Sequence, residues 1–345
     1  MEVREFDLEQ IVPPQLRERM EGARTRTIAR SGRRLNFYIT SNLFPSISIT
    51  GSQCSLHCKH CGGKLLERLI PCTTPDDLVS TALVAEMQGA KGILVTGGCD
   101  PKGRVPVPAI SAAIATIKER TDLRVIAHTG FITPDEAGLL QDSGLDGAGF
   151  DVVGDMTVVR EVYGLDLSEQ DYISSLDALS DAGIMLFPHV CVGLNAGRAG
   201  GELHALEMIR GRTVSTVVIT GLMPIEGTPF SGAKPDPMDF ARVITAAVEL
   251  FPDTPITLGC ARSSGRDREL IDYLAIESGV ENIAIPTRYA VEYAKRNGYS
   301  TDYYGTCCGL PPSDDTRIDT PLYDTRAAAP LYDTGNASAL HGDGT

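Results

Sequence analysis

Three cysteines that lie close together in the sequence have the spacing of an iron–sulfur ligand set. Cys54, Cys58 and Cys61 form a Cx3Cx2C pattern directly after a β-rich run. A cubane cluster offers four irons to thiolates, and ferredoxin-type sites usually supply four cysteines. A run that supplies three leaves one iron open to a small-molecule chelate, which predicts a site-differentiated [4Fe–4S] cluster. Gly62 and Gly63 follow and allow the backbone to turn tightly over a bulky cofactor.

A zinc site is the alternative for the same cysteines. Zn²⁺ accepts three thiolates and one imidazole, and the loop contains His57 and His60 as candidates for the fourth ligand. The position in the chain favours the cluster. Catalytic loops belong at the C-terminal end of the first strand of a barrel, where structural zinc loops seldom occur.

A second set of cysteines is predicted to converge although its members are far apart in sequence. Cys99, Cys191 and Cys260 each lie at or just past the end of a predicted strand. In a barrel these ends face a common mouth. The three thiols therefore predict a second iron–sulfur cluster, and Cys308, from the adjacent pair Cys307–Cys308, is the candidate that completes it. The alternatives are buried packing for each thiol and a vicinal redox pair for the last two.

The elements that must position these residues follow a regular alternation. After residue 45, short β-rich runs alternate with helix-length amphipathic segments, which often begin with a Thr-Pro-acid signal and end in glycine. Eight such units favour a parallel (β/α)8 TIM-type barrel, full or nearly full, and an open doubly wound sheet is the alternative. The predicted strands are Ser46–Thr50, Gly92–Thr96, Leu123–His128, Asp146–Val152, Ile184–Cys191, Thr216–Gly221, Pro255–Cys260 and Asn282–Pro286.

The domain organisation is predicted from shifts in composition. Residues 1–45 form an N-terminal extension, 46–310 the barrel, and 311–345 a disordered tail in which PLYDT occurs at 321–325 and again at 330–334. With 345 residues, 42% of them apolar and 22% charged, the chain can bury a sizeable core.

Charge and hydropathy exclude two classes of partner. The net charge of −14 argues against nucleic acid, since phosphate binding draws on clustered cations. No apolar run approaches the ~18 residues of a membrane span. The first ten residues are polar and lack the apolar stretch of a signal peptide, so we expect a cytoplasmic protein. The arginine-rich stretch from Arg17 to Arg34 is either a solvated face or a docking surface for an acidic protein.

The cysteine pattern resembles the signature of the radical S-adenosylmethionine superfamily. In that family the Cx3Cx2C loop follows the first barrel strand, and an aromatic residue usually stands where this chain has His60. The resemblance implies that Cys54, Cys58 and Cys61 bind the [4Fe–4S] cluster. It also implies that S-adenosylmethionine chelates the open iron and is cleaved reductively to a 5′-deoxyadenosyl radical.

Further residues match the family's cofactor contacts. Gly97 and Gly98 resemble the glycine pair that accepts the methionine amino group, although Cys99 replaces the acid that often follows. Asp151 and Asp155 lie where the family places a ribose-binding side chain, and a helix N-cap is the alternative for either. The segment 221–229, which includes Met223, resembles the stretch of biotin synthase that lies near the adenine.

The reaction is predicted from a closer resemblance to biotin synthase and, above all, to archaeal-type two-protein lipoyl synthases. It is carried by GGCD at 97–100, PHVCVGL at 188–194, LGCARSSGR at 258–266 and the late cysteine pair. In biotin synthase, cysteines on strands two, three and five and an arginine on strand seven hold an auxiliary cluster. Here the third strand ends in His128, either a ligand or a group that faces the substrate.

This resemblance implies a sulfurtransferase. The auxiliary cluster would donate sulfur to an unactivated C–H carbon of an octanoyl chain on a lipoyl-carrier protein. A related radical enzyme would act as partner, and ferredoxin or flavodoxin as reductant. One alternative is a biotin-synthase-like enzyme acting on a small molecule, as a mutase or in cofactor maturation. A second is a non-catalytic iron–sulfur scaffold or electron carrier.

Overall fold

The computed structural model of the protein describes residues 6–319 and contains one parallel sheet with eleven strands. Each of the eight predicted β-rich runs coincides with a strand, and three further strands join the sheet. The strands are β1 Arg34–Tyr38, β2 Ser46–Ser48, β3 Ile70–Pro71, β4 Gly92–Thr96, β5 Arg124–His128, β6 Gly147–Asp151, β7 Leu186–Val192, β8 Val217–Gly221, β9 Ile256–Leu258, β10 Asn282–Ala284 and β11 Ser300–Tyr304.

The sheet is an open, curled half-barrel, so the predicted parallel α/β class with a TIM-like fold is confirmed, whereas a full (β/α)8 barrel is not. Its strand order is β11-β1-β10-β9-β8-β7-β6-β5-β4-β2-β3, so that β11 and β3 are edges that do not pair with each other. The sheet nevertheless curls, because Tyr38 of β1, Ile126 of β5 and Val218 of β8 belong to one buried apolar cluster on its concave face. The edge strand β3, which follows β2, has only two residues.

Helices cover the convex face of the sheet and bury its other set of side chains. Alternation along each strand sends Ile93, Val95 and Val125 outward to this layer. The helices are α1 Leu8–Ile11, α2 Pro14–Ser31, α3 Pro75–Met87, α4 Ser111–Arg120, α5 Pro134–Asp142, α6 Met156–Val158, α7 Glu169–Asp181, α8 Glu202–Ile209, α9 Pro237–Leu250, α10 Arg266–Glu277 and α11 Arg288–Arg296. None of the helices in this part of the chain is both long and apolar enough to cross a bilayer.

The first 45 residues contribute both to the sheet and to the helical layer. β1 lies between β10 and β11, and α2 packs against α9 and α10. The arginines of the basic stretch form ion pairs there: Arg24 binds Glu277, and Arg30 binds Glu281. Much of the basic stretch is therefore engaged in ion pairs with acidic side chains of the same chain.

The start of the predicted tail packs on the sheet. Arg317 forms a bridge with Tyr304, and the Ile318 amide donates to the Tyr303 carbonyl at 2.9 Å. Both PLYDT copies lie outside the described residues.

Candidate functional site

The loop that carries Cys54, Cys58 and Cys61 follows β2 and is fixed by backbone hydrogen bonds at the C-terminal mouth of the half-barrel. The Ser55 amide donates to the Cys99 carbonyl at 2.9 Å, after β4. The Lys59 amide donates to the Val162 carbonyl, also at 2.9 Å. The segment after β4 and the helical turn Val159–Tyr163, which follows β6, therefore hold the loop in place. We call the three cysteines the mouth thiols.

The glycine pair after β4 lies directly beneath this loop. A side chain at Gly98 would clash with the Gln53 carbonyl oxygen and the Cys54 Cα. The Gly98 amide donates to Thr50 Oγ1 at 2.7 Å, and that hydroxyl donates to the Gln53 carbonyl at 2.9 Å. Gly98 thus permits close approach of the cluster loop. Its predicted contact, like that of Gly97, with the methionine amino group stays a prediction.

One of the mouth thiols, Cys61, is held as a thiolate. The Cys58 thiol hydrogen-bonds to the Cys61 sulfur, which lowers the pKa of Cys61 to about 4, with His60 as a further cause. The same hydrogen bond, together with burial, raises the pKa of Cys58. Metal-ligating cysteines must be deprotonated, so a positively charged iron centre fits this donor set.

His60 occupies the position that is usually aromatic in the superfamily. Its ring meets the edge of Tyr163 with centroids 5.4 Å apart, and Tyr163 ends the π-helical turn Val159–Tyr163. The ligand atoms of Cys58, His60 and Cys61 lie within 4.8 Å of one another, which keeps zinc in consideration. Cys54 is not part of that compact group. Three sulfurs more widely spaced than tetrahedral zinc requires suit a cubane.

Two of the predicted auxiliary ligands lie near the mouth. The pKa of Cys99 is raised to about 12 by burial and by the neighbouring Cys54 and Asp151. Cys191, on β7, has its pKa raised to about 12 by burial and by Asp151. A cavity of about 740 Å³ opens beside Cys54 and Cys99, with Arg104 in its wall. Its size is typical of small-molecule sites.

The other two predicted ligands lie in a separate group deeper in the half-barrel. Cys260, Cys307 and Cys308 all pack on the concave-face cluster with Phe187 and Tyr38. The Cys308 thiol hydrogen-bonds to Cys307, which lowers the pKa of Cys307. Burial and the neighbouring Cys307 raise the pKa of Cys260. We call these three the inner thiols.

The structure separates the two predicted ribose-binding acids. Asp151 ends β6 on the concave face, beside Cys99 and Cys191. Asp155 caps α6 and accepts a hydrogen bond from the Thr157 amide at 2.8 Å, as its alternative interpretation expects. Both roles toward S-adenosylmethionine stay predictions.

The segment 221–229 packs against the cluster loop. Met223 follows β8 in this segment and is half-buried. The Lys64 ammonium donates to the Glu226 carbonyl at 2.7 Å, and Gly62 lies against Thr228. The predicted adenine-side segment therefore lies next to the mouth thiols.

One group of polar residues was missed by reasoning from local motifs. His189 of β7 lies next to His128, with ring centroids 4.9 Å apart, and both face Asp151. The available signal was alternation along PHVCV, which puts His189 and Cys191 on the same face of one strand.

Comparison with known proteins agrees with this geometry. No protein-family model matches the chain. It is 25% identical to the biotin synthase of Acidithiobacillus ferrooxidans over 252 residues, which cover 70% of this chain and 77% of that protein. It is 29% identical to the biotin synthase of Burkholderia cenocepacia over 216 residues, 61% of each chain. These similarities support the predicted place of the chain in the radical S-adenosylmethionine superfamily, with a biotin-synthase-like character.

Solved structures show the same fold at lower sequence identity. Methylornithine synthase PylB has a TM-score of 0.60 at 14% identity, over 85% of this chain and 91% of that one. The [FeFe]-hydrogenase maturase HydG has a TM-score of 0.63 at 18% identity, over 85% and 71%. The similarity to biotin synthases supports the predicted biotin-synthase-like radical enzyme, and the solved structures show the shared fold. The [4Fe–4S] cluster and S-adenosylmethionine stay predictions for this chain. The resemblance to archaeal-type lipoyl synthases stays a prediction.

Proposed function

We propose that the protein inserts sulfur from an auxiliary iron–sulfur cluster into an unactivated C–H position of a protein-bound octanoyl chain. The observation that carries this proposal is the group of inner thiols. Cys260, Cys307 and Cys308 come together on the concave face of a half-barrel whose mouth holds the radical-generating loop.

The inner thiols have the surroundings of a ligand set. Burial raises the pKa of Cys260, and the Cys307 hydrogen bond together with burial raises that of Cys308; the fully buried Arg262 guanidinium is a smaller influence in the opposite direction on both thiols. The same two segments carry buried hydroxyls that have no hydrogen-bond partner in the described part of the chain, Ser263 and Thr306. Buried polar groups are normally satisfied, so these hydroxyls indicate a missing polar neighbour such as cluster sulfide or iron.

Each region of the chain has a defined task in this scheme. The mouth thiols hold the first cluster, and that cluster with S-adenosylmethionine supplies a carbon-centred radical when bound. Ile126, Phe187 and Val218 form an apolar floor that excludes water from the interior.

The proposed ligand set changes the sequence-based one in part. Cys260 and Cys308 are kept, and Cys307 joins them because it hydrogen-bonds with Cys308 and is close enough to Cys260 to raise the pKa of that thiol. Cys99 and Cys191 lie around Asp151 near the mouth, and we assign them to the walls of the S-adenosylmethionine site.

Iron counting on anaerobically reconstituted protein tests the assignment. We expect wild type to hold about four irons more than the C260A/C307A/C308A variant if the auxiliary cluster is a cubane, and about two more if it is [2Fe–2S]. The variant should still form 5′-deoxyadenosine but should add no sulfur to an octanoyl-lysine peptide. C99A/C191A is the matched control and should keep its iron. Equal iron in wild type and C260A/C307A/C308A would refute the auxiliary cluster.

A biotin-synthase-like reaction on a small molecule is the second candidate, and the similarity to two biotin synthases favours it. Mass spectrometry separates the two functions. Sulfur gain on an octanoylated carrier protein, with a related radical enzyme and reduced ferredoxin or flavodoxin present, supports the lipoyl-type reaction. Turnover of free small molecules alone supports the alternative. Absence of 5′-deoxyadenosine under every condition would leave a non-catalytic scaffold.

A further inference from the structure

Three adjacent strands bring two histidines and one aspartate to the same point on the concave face. In the register of the sheet, Asp151 of β6 pairs with His189 of β7, and Gly149 of β6 pairs with His128 of β5. Alternation places Asp151 and Gly149 on one face of β6. The ligand atoms of His128, Asp151 and His189 lie within 4.8 Å of one another. We call these three residues the interior triad.

The neighbouring strand leaves room for this arrangement. A methyl group added at Gly149 would lie 2.7 Å from His128 Nε2 and 2.9 Å from the Phe187 ring. Gly147, the preceding residue on the same face of β6, also lies against Phe187. The two glycines therefore provide the space in which the His128 ring extends across β6 toward Asp151.

Within the described part of the chain, no hydrogen bond or ion pair joins the three side chains of the triad. His189 Nδ1 is buried without a hydrogen-bond partner. Two imidazoles and one carboxylate whose ligand atoms converge, with no hydrogen bond between them, form a set of ligands that a cation would satisfy.

We propose that the interior triad binds a divalent transition-metal ion. Two imidazoles and one carboxylate with open positions are the ligand set typical of Fe²⁺ and related ions. Asp151 is exposed at the mouth, so an ion has a path of entry. The coordination positions left open would face the interior and accept an anionic or thiolate group of a substrate. This proposal depends on the geometry of the triad and not on the sulfur-insertion reaction.

Manganese binding to the cluster-loaded protein tests the site. Mn²⁺ prefers nitrogen and oxygen ligands to thiolates, and its free concentration is measured by electron paramagnetic resonance. We expect one saturable Mn²⁺ per chain in wild type. H128Q, H189Q and D151N should each weaken it by at least about 10-fold. H204Q is the control, because His204 is exposed and pairs with Glu169. G149A keeps all three ligands but displaces His128, and should weaken binding as well.

The outcomes distinguish a metal site from a contact with S-adenosylmethionine. A rise in the melting temperature of wild type with Mn²⁺, absent in the folded triad variants, supports the site. Wild type without saturable Mn²⁺, or triad variants that bind like H204Q, would overturn it. Equilibrium dialysis measures the binding of S-adenosylmethionine to the same variants. If D151N binds S-adenosylmethionine more weakly but Mn²⁺ as tightly as wild type, Asp151 is a ribose contact and the proposed metal site is wrong.

Discussion

The mouth thiols and the inner sites are built in different ways. Cys54, Cys58 and Cys61 lie on one short loop, and local turns with two left-handed glycines, Gly62 and Gly63, set their spacing. The interior triad comes from three strands, and the inner thiols come from two segments more than forty residues apart. The mouth thiols therefore form a site whose geometry is set by local sequence. The interior triad and the inner thiols form sites that exist only once the sheet has formed.

This difference shows which feature of the sequence predicts each site. A contiguous motif keeps its spacing in any surrounding fold, so its chemistry can be inferred from the residues themselves. A convergent site depends on strand register and on alternation along each strand. The sequence therefore predicts which strand carries each ligand. It does not predict how deep each side chain lies in the barrel.

Loss of a mouth ligand should have the largest effect. C58A removes the buried thiol that hydrogen-bonds to Cys61, so the first cluster should be lost and 5′-deoxyadenosine formation should fall to background. Iron analysis and product chromatography measure both results. C72A is the control, because the buried Cys72 thiol hydrogen-bonds with Thr81 rather than with a mouth thiol. Normal 5′-deoxyadenosine formation by C58A would contradict the ligand assignment.

The buried ion pair beneath the inner thiols should have the next largest effect. Arg262 and Asp272 are fully buried, 2.8 Å apart, and Arg262 also donates to the Ala284 carbonyl at 2.9 Å. R262M leaves Asp272 buried without its cation and should cost about 3–5 kcal/mol of unfolding free energy. Urea denaturation checks this value.

An exposed ion pair provides the control for that measurement. Arg288 and Glu292 are paired one turn apart on α11, with the arginine 82% exposed. R288M should change the unfolding free energy by less than about 0.5 kcal/mol. Similar losses in R262M and R288M would show that the inner region does not depend on its buried charges.

Much of the fold follows from local signals in the sequence. The eight β-rich runs and the Thr-Pro-acid helix starts coincide with observed elements, because caps and alternation depend on near neighbours. Closure of the barrel does not follow from them. Closure depends on how the edges meet. Two five-residue strands were not predicted: β1 precedes residue 45, where the regular alternation begins, and β11, with the sequence STDYY, lacks an apolar run.

The sequence likewise predicts some parts of the candidate site and not others. The mouth thiols were predicted from spacing, and Asp155 was correctly weighed as a possible helix cap. The sequence did not predict that Cys99 and Cys191 lie in one group and Cys260 and Cys308 in another. A position at the end of a strand does not show how deep the side chain lies. His189 was missed because its two partners in the triad lie on other strands.

Close packing of the mouth loop should have a smaller effect than either ligand loss or buried charge. A methyl group at Gly98 would clash with the backbone at Gln53 and Cys54, so G98A should displace the loop and cost about 1–3 kcal/mol of unfolding free energy. Cluster content should fall with it. G22A is the control, because Gly22 lies within α2 with open space around it, and alanine there should stabilise the helix. Full cluster content and unchanged stability in G98A would show that the glycine is not needed for the approach.

Thiol reactivity in the metal-free protein should give the smallest difference between the two regions. The pKa of Cys61 is lowered to about 4 by the Cys58 hydrogen bond, whereas burial raises the pKa of Cys260. At pH 6 Cys61 is already a thiolate and Cys260 is a thiol, so iodoacetamide should modify Cys61 at least about 10-fold faster. The ratio should shrink as the pH rises to 9, because Cys61 gains no further thiolate while Cys260 begins to ionise. Peptide mass spectrometry follows both sites. A Cys61 modification rate that rises steeply between pH 6 and 9 would show that Cys58 and Cys61 do not share a proton. The mouth thiols and the inner thiols would then differ only in how deeply they are buried.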